Sequence, residues 1–248
     1  MRQHRNTSMK IIEKIQQKCN AFRANEGITI ACLGDSVTQG CFELTVDPSG
    51  NVNTRFDQAH TYHAYLQQML ASLYPAVPFN VINAGLSGGN APEGAARLDR
   101  DVLSHNPDLV IVCFALNDSC SGPDGLETYA AAIDDILGRL KAAGCEVILM
   151  TPNMMNTRID PSITYPGYLE IARCTMKTQN EGYLDAYLAR AKEIAAAHGV
   201  PVCDCYAKWK ALAAAGVDTT ALLSNLINHP TREMNKLFAV SLMETIFQ

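Results

Sequence analysis

Apolar residues gather in five short runs along this chain, at residues 28–33, 79–83, 109–115, 146–151 and 201–203. Runs this short and rich in Val, Ile and Leu are strand-length, and their unbroken apolarity is what a strand covered on both faces requires. Between them apolar positions recur at helical spacing. Ile11, Ile12, Ile15, Cys19 and Phe22 share one side of a helix over 9–24, and Tyr62, Tyr65, Leu66, Met69 and Leu73 do so over 61–73. Further helices are predicted over 91–104, where Pro92 occupies a first-turn position that needs no amide, and over 125–143, ended by Gly144. The pattern adds a helix over 179–198, one around Trp209 and a last one over 230–247. Strands alternating with helices imply a parallel sheet with helices on both faces. The expected architecture is therefore α/β, a three-layer α/β/α sandwich around a central, mainly parallel five-stranded sheet. It forms a single domain over 1–248, with an N-terminal helix within 1–26.

Two stretches break the pattern. Residues 41–59 hold Pro48, Gly50 and several Asn and Asp, and read as a surface loop near the mouth of a site. Residues 152–178 form a long connection without periodicity, and such a connection inside a compact domain is usually functional. Its Arg158, Tyr165 and Tyr168 are candidate substrate contacts.

Composition narrows the function classes. A net charge of −5 without any basic stripe argues against a nucleic-acid partner. No stretch has the roughly 18 apolar residues of a membrane helix, and residues 1–25 are amphipathic and charged without a signal-peptide core, so a cytoplasmic location is expected. Nine cysteines are an odd number, and Cys32, Cys113, Cys145 and Cys203 fall in predicted strands. They read as free thiols of a reducing compartment rather than a disulfide framework. His60 and His63 lack a third ligand and are expected at a solvated helix end; Cys203 and Cys205 suit a strand end better than a zinc pair. His198 fits a helix C-terminus. Neither metal nor cofactor is expected.

The chemistry lies at the strand ends. The first strand stops at Gly34-Asp35-Ser36, the second runs into Gly85, Gly88 and Gly89, and the third ends at Asn117-Asp118. In a parallel sheet these ends share the edge where open α/β folds bind ligands. Acyl transfer needs a nucleophile and donors aimed at the developing oxyanion, and a hydroxyl at Ser36 with the Ser36 amide, the Gly88 amide and the Asn117 side chain would supply both. Asp35 and Asp118 would support the turns. His229, in Asn228-His229-Pro230 before the final helix, could serve as general base. Each motif alone also fits an ordinary role, as helix cap, turn glycine or helix entry.

Taken in order, the motifs resemble those of the SGNH hydrolases, the GDSL esterase and lipase superfamily, from residue 28 to the last helix. Leu33-Gly-Asp-Ser-Val is similar to the first block, Val81-Ile-Asn-Ala-Gly-Leu-Ser-Gly-Gly to the second, Phe114-Ala-Leu-Asn-Asp to the third and Asn228-His-Pro to the fifth. The resemblance implies a flavodoxin-like SGNH fold, Ser36 as nucleophile, Ser36, Gly88 and Asn117 as the oxyanion hole, and His229 as base. Two departures stand out. Ala115 replaces a glycine of the third block. The aspartate that many members carry three residues before the histidine is absent: Leu226 stands there, and Asn225 is the nearest polar candidate to orient the base, ahead of a distant Asp218. The implied function is hydrolysis of a small or carbohydrate ester with a short acyl group, acetyl first. A lysophospholipase or thioesterase, or a catalytically weakened carbohydrate-binding relative, are the alternatives.

Overall fold

The computed structural model describes residues 9–248; residues 1–8 of the expected N-terminal helical segment lie outside them. In chain order the elements are α1 (Lys10–Asn20), β1 (Ile28–Gly34), α2 (Ser36–Gln39), β2 (Cys41–Val46), β3 (Val52–Phe56), α3 (Tyr62–Leu73), β4 (Phe79–Gly85) and α4 (Ala91–Asp101). There follow β5 (Leu109–Cys113), α5 (Leu126–Ala142), β6 (Glu146–Met150), α6 (Pro166–Asn180), α7 (Tyr183–His198), β7 (Val202–Cys203), α8 (Cys205–Ala214) and α9 (Arg232–Ile246).

Five strands form one sheet in the order β4-β1-β5-β6-β7, every neighbouring pair parallel. The predicted α/β sandwich is thus the observed one, and its five strands are the five apolar runs. Ile30, Leu33, Val110, Ile111, Val112 and Ile148 are fully enclosed, as strands packed on both faces must be. The chain passes from β1 to β4 on one side and from β4 back across β1 to β5 on the other. Right-handed crossovers with that reversal of direction place α3 and α4 on opposite faces. In keeping with this, α4 packs on α5 and α5 on α7, whereas α3 pairs with α9. The reversal leaves a crevice beyond the carboxyl ends of β1, β4 and β5, the edge that carries Ser36, Gly88 and Asn117.

The irregular stretches hold more structure than their patterns suggest. The expected surface loop at 41–59 is largely the antiparallel hairpin β2–β3, in which Cys41 pairs with Phe56 and Val46 with Val52. Pro48, Gly50 and the polar residues that hide it from a periodicity reading sit in its turn, where the Asp47 carboxylate accepts the amides of Ser49 and Asn51. The long connection 152–178 ends in α6, begun by Pro166. Its inner face carries Tyr168, Ala172, Thr175 and Gln179, and the last two are polar residues satisfied by Asn156, the Met155 amide and Tyr206. A buried face with hydrogen-bonded polar residues does not read as apolar periodicity. The helix expected over 179–198 is α7, which starts later, at Tyr183, because residues 179 and 180 end α6 and Gly182, at φ 76°, separates the two.

Candidate active site

Ser36 leaves β1 at a turn stabilised by its neighbour. The Asp35 side chain caps α2 by accepting the Val37 amide at 2.9 Å. Burial pushes the Asp35 carboxyl up to about 7 against that hydrogen bond, with the charge of Asp118 adding to the rise. The turn is fastened from behind by residues without a sequence signal. His63 Nε2 meets the Thr38 carbonyl at 3.0 Å, and Tyr62 Oη bonds the Thr38 hydroxyl at 3.0 Å. His63 is therefore buried rather than at a solvated helix end, whereas His60 is exposed and pairs with Asp57. Arg97 donates to the carbonyls of Gly34 (2.9 Å) and Ala84 (2.7 Å), joining the ends of β1 and β4 beneath the site. It lies on the buried side of a charge-rich helix, and only the tertiary fold shows where its guanidinium goes.

His229 reaches this turn from 193 positions away. Its Nε2 lies 2.9 Å from Ser36 Oγ, and its Nδ1 lies 3.0 Å from the backbone carbonyl of Phe42 in β2. Both side chains are buried, Ser36 at 4% and His229 at 5% exposure. A carbonyl oxygen can only accept, so the Nδ1 proton points to Phe42 and the Nε2 lone pair faces the serine hydroxyl. Burial holds the imidazole down to about 4, with the Phe42 hydrogen bond opposing. It is neutral near pH 7 and able to accept a proton.

Asn225 does not take the place of the missing carboxylate. Its Oδ1 accepts the amides of Ile227, Asn228 and His229, and its Nδ2 donates to Asn228 Oδ1 at 2.9 Å. These bonds use the side chain to hold the turn, while Phe42 occupies the ring nitrogen. Leu226, where the resemblance leads one to expect the acid, has a left-handed backbone at φ 58°. Asp218 is bound to Arg158 at 2.7 Å in an exposed ion pair and does not orient the ring.

The expected oxyanion donors line the same edge. Neither the Ser36 nor the Gly88 amide has a hydrogen-bond partner among the described residues. Gly88 is exposed at φ 76°, and a Cβ there would touch nothing within 4 Å, so its bare Cα faces open space. Asn117 Nδ2 donates one proton to the Gly89 carbonyl at 2.8 Å and retains a second. The Asp118 carboxylate accepts the amides of Ala91 and Ala115, tying the start of α4 to the end of β5. Burial raises its pKa. The third-block departure alters more than volume: Ala115 sits at φ 112°, a conformation suited to glycine.

The candidate substrate residues are placed differently. Arg158 is committed to Asp160 and Asp218. Tyr165 and Tyr168 stand edge to face, 5.3 Å between centroids, and donate their hydroxyls to the hairpin carbonyls of Gly50 and Thr45. Their rings help line a cleft of about 450 Å³ with Glu43, Ser162, Asn225 and Leu226, beside the histidine turn. No cluster of three or more potential metal ligands occurs among the described residues.

A serine hydroxyl against a neutral buried imidazole, at the carboxyl edge of a doubly wound parallel sheet, is an arrangement suited to an ester hydrolase. The chain belongs to the GDSL-like lipase/acylhydrolase family, whose model matches residues 32–237. Among curated proteins it is 28% identical over 140 residues to an acetylxylan esterase of Geobacillus stearothermophilus, a match spanning 52% of this chain and 62% of that protein. Among solved structures it is similar to Axe2, an acetylxylan esterase from the same organism, with TM-score 0.66, 21% identity and coverage of 89% of this chain and 94% of that one. A two-domain esterase active on acetylated mannans aligns with TM-score 0.64 and 19% identity over 95% of this chain and 52% of that one. Structures of Axe2 catalytic mutants carry substitutions at a serine, an aspartate and a histidine. No helix among the described residues is long and apolar enough to cross a membrane.

Proposed function

We propose that this protein removes acetyl groups from acetylated oligosaccharides through an acyl-enzyme on Ser36. The observation that carries the reading is the Ser36–His229–Phe42 relay, with Nε2 2.9 Å from the hydroxyl and Nδ1 3.0 Å from the carbonyl. His229 takes the Ser36 proton as Oγ attacks the ester carbonyl, and returns it to the leaving sugar hydroxyl. The Ser36 and Gly88 amides and the free proton of Asn117 bind the oxyanion. Water activated by the same imidazole then releases acetate. The Phe42 carbonyl fixes the tautomer, one of the two tasks a triad carboxylate performs. The acetyl preference and saccharide substrate rest on likeness to esterases of acetylated xylan and mannan. Tyr165 and Tyr168 both line the adjacent cleft, where the half-buried Tyr165 ring offers an apolar surface for a sugar.

The test is hydrolysis of acetylated xylo- and manno-oligosaccharides alongside a chromogenic ester series of increasing acyl length. Ser36→Ala should abolish turnover and labelling by a serine-directed phosphonate, and Asn117→Ala should lower kcat on the order of 10²- to 10³-fold. Turnover persisting in Ser36→Ala would remove the nucleophile. A wild-type preference for long acyl chains would replace the acetylesterase reading with a lipid or thioester one. No phosphonate labelling together with tight sugar binding would mark a non-catalytic relative.

A further inference from the structure

The acceptor for His229 Nδ1 is a backbone carbonyl on a two-stranded hairpin, and such a hairpin is marginal unless anchored. A single side chain on α9 reaches both of its strands. Arg232 opens α9, three residues after His229. Its guanidinium donates from Nη1 to Glu43 Oε1 at 2.6 Å and from Nη2 to Glu43 Oε2 at 3.3 Å. From Nε it donates to Asp57 Oδ2 at 2.7 Å. The same group lies 4.3 Å over the ring of Phe42. Glu43 follows Phe42 in β2, and Asp57 follows the last residue of β3. One planar cation thus grips both strands of the hairpin and the side chain of the residue whose carbonyl receives the imidazole proton. Asp57 is held in place on its other side by His60 Nδ1 at 2.8 Å. Isolated surface ion pairs contribute little, but a bidentate, half-buried network holds geometry.

We propose that Arg232 is a positioning residue for the candidate base, clamping β2 to the start of α9 so that the Phe42 carbonyl stays in line with His229 Nδ1. This rests on reading Ser36 and His229 as nucleophile and base. Where other chains place a carboxylate on the histidine loop itself, this one supplies the acceptor from a separate element and needs a tie between the two. Lysine reproduces only part of that tie, because one ammonium cannot hold Glu43 bidentately and Asp57 together.

The experiment compares Arg232→Met, Arg232→Lys and Glu43→Gln with wild type by kcat and KM on a chromogenic acetate, by thermal melting, and by the downfield imidazole Nδ1 proton resonance. Arg139→Met, which removes ion pairs to Asp99 and Asp135 on the protein's far side from the hairpin network, controls for loss of an arginine. In Arg232→Met, kcat should fall about tenfold or more with KM within about twofold, and the resonance should broaden or vanish. Arg232→Lys should recover part of both, and Arg139→Met should leave the resonance intact. A folded Arg232→Met with wild-type kcat and resonance would overturn the clamp, as would a kcat loss with the resonance unchanged. Should Arg232→Met fail to fold, Glu43→Gln decides by the same readouts, and wild-type behaviour there overturns it. A wild-type protein without ester turnover would remove the functional reading, leaving the resonance to judge the clamp independently.

Discussion

At the scale of single residues, the site depends on which atom each side chain presents. His229 has its proton toward a neutral carbonyl instead of a carboxylate, and burial keeps the ring down to about 4. If His229 is the base, as proposed, it stays deprotonated through mildly acidic conditions, so the acidic limb of kcat/KM should fall near pH 4 instead of near the ordinary histidine value. A pH-rate profile checks this, and a limb at 6 to 7 would show that burial does not hold the ring down. Ala115 carries a different kind of information. At φ 112° it holds a backbone that L side chains rarely adopt, between the end of β5 and the Asn117 donor. Ala115→Gly should relieve strain and stabilise the fold by on the order of 1 kcal/mol, read as a higher urea midpoint at unchanged m-value. Asn225 was legible as important and not as to role: its three accepted amides belong to the turn that presents His229, and no linear pattern distinguishes a turn-holding asparagine from a ring-orienting one.

At the scale of elements, close approach of backbones sets the site. The end of β4 lies directly against α2, the short helix that begins with Ser36. A Cβ on Gly85 would fall on the Gln39 amide nitrogen and 2.6 Å from the Thr38 carbonyl carbon, so neither rotamer change nor local breathing accommodates it. Gly85→Ala should destabilise by about 1–3 kcal/mol and, by pushing α2 away from β4, lower kcat more than it changes KM. Chemical denaturation and steady-state kinetics on the acetate ester measure the two effects, and a variant neutral in both would mean that α2 moves freely. The hairpin β2–β3 makes the complementary point. Its residues look irregular because turn formers separate two short strands, yet one of its carbonyls receives the imidazole proton.

At the scale of the whole molecule, buried titrating groups couple the site to stability. His63 and His229 are both held down to about 4 by burial, below their ordinary 6.5. The unfolded chain binds protons where the folded one does not. Their contribution is full above about pH 6.5 and is lost as pH falls toward 4, each on the order of 3 kcal/mol. Asp35 acts with the opposite sign: its carboxyl is raised from 3.8 to about 7, so its contribution is present below about 4 and is lost as pH rises through 7. Asp118, raised by burial, shares that sign, whereas Glu43, Asp57, Asp160 and Asp218, held down by hydrogen bonds to basic side chains, lose stability on acidification as the histidines do; on that balance the urea midpoint should fall between pH 6.5 and 4.5. A midpoint that is flat or rises on acidification would show that the two histidines do not dominate the balance against Asp35 and Asp118.

Residue pattern alone determined the five strands, their parallel arrangement and the polar and glycine residues at three of their ends, because burial on both faces and exposure at a sheet edge are local requirements written in local composition. The tertiary structure alone decided what faces the second nitrogen of His229, what locks the turn at Ser36 and what becomes of Asn225. Those partners, Phe42, His63, Arg97 and Arg232, act through backbone carbonyls or through contacts between distant segments. A carbonyl is present at every residue, so its selection leaves no mark in a sequence until folding brings one of them to the ring.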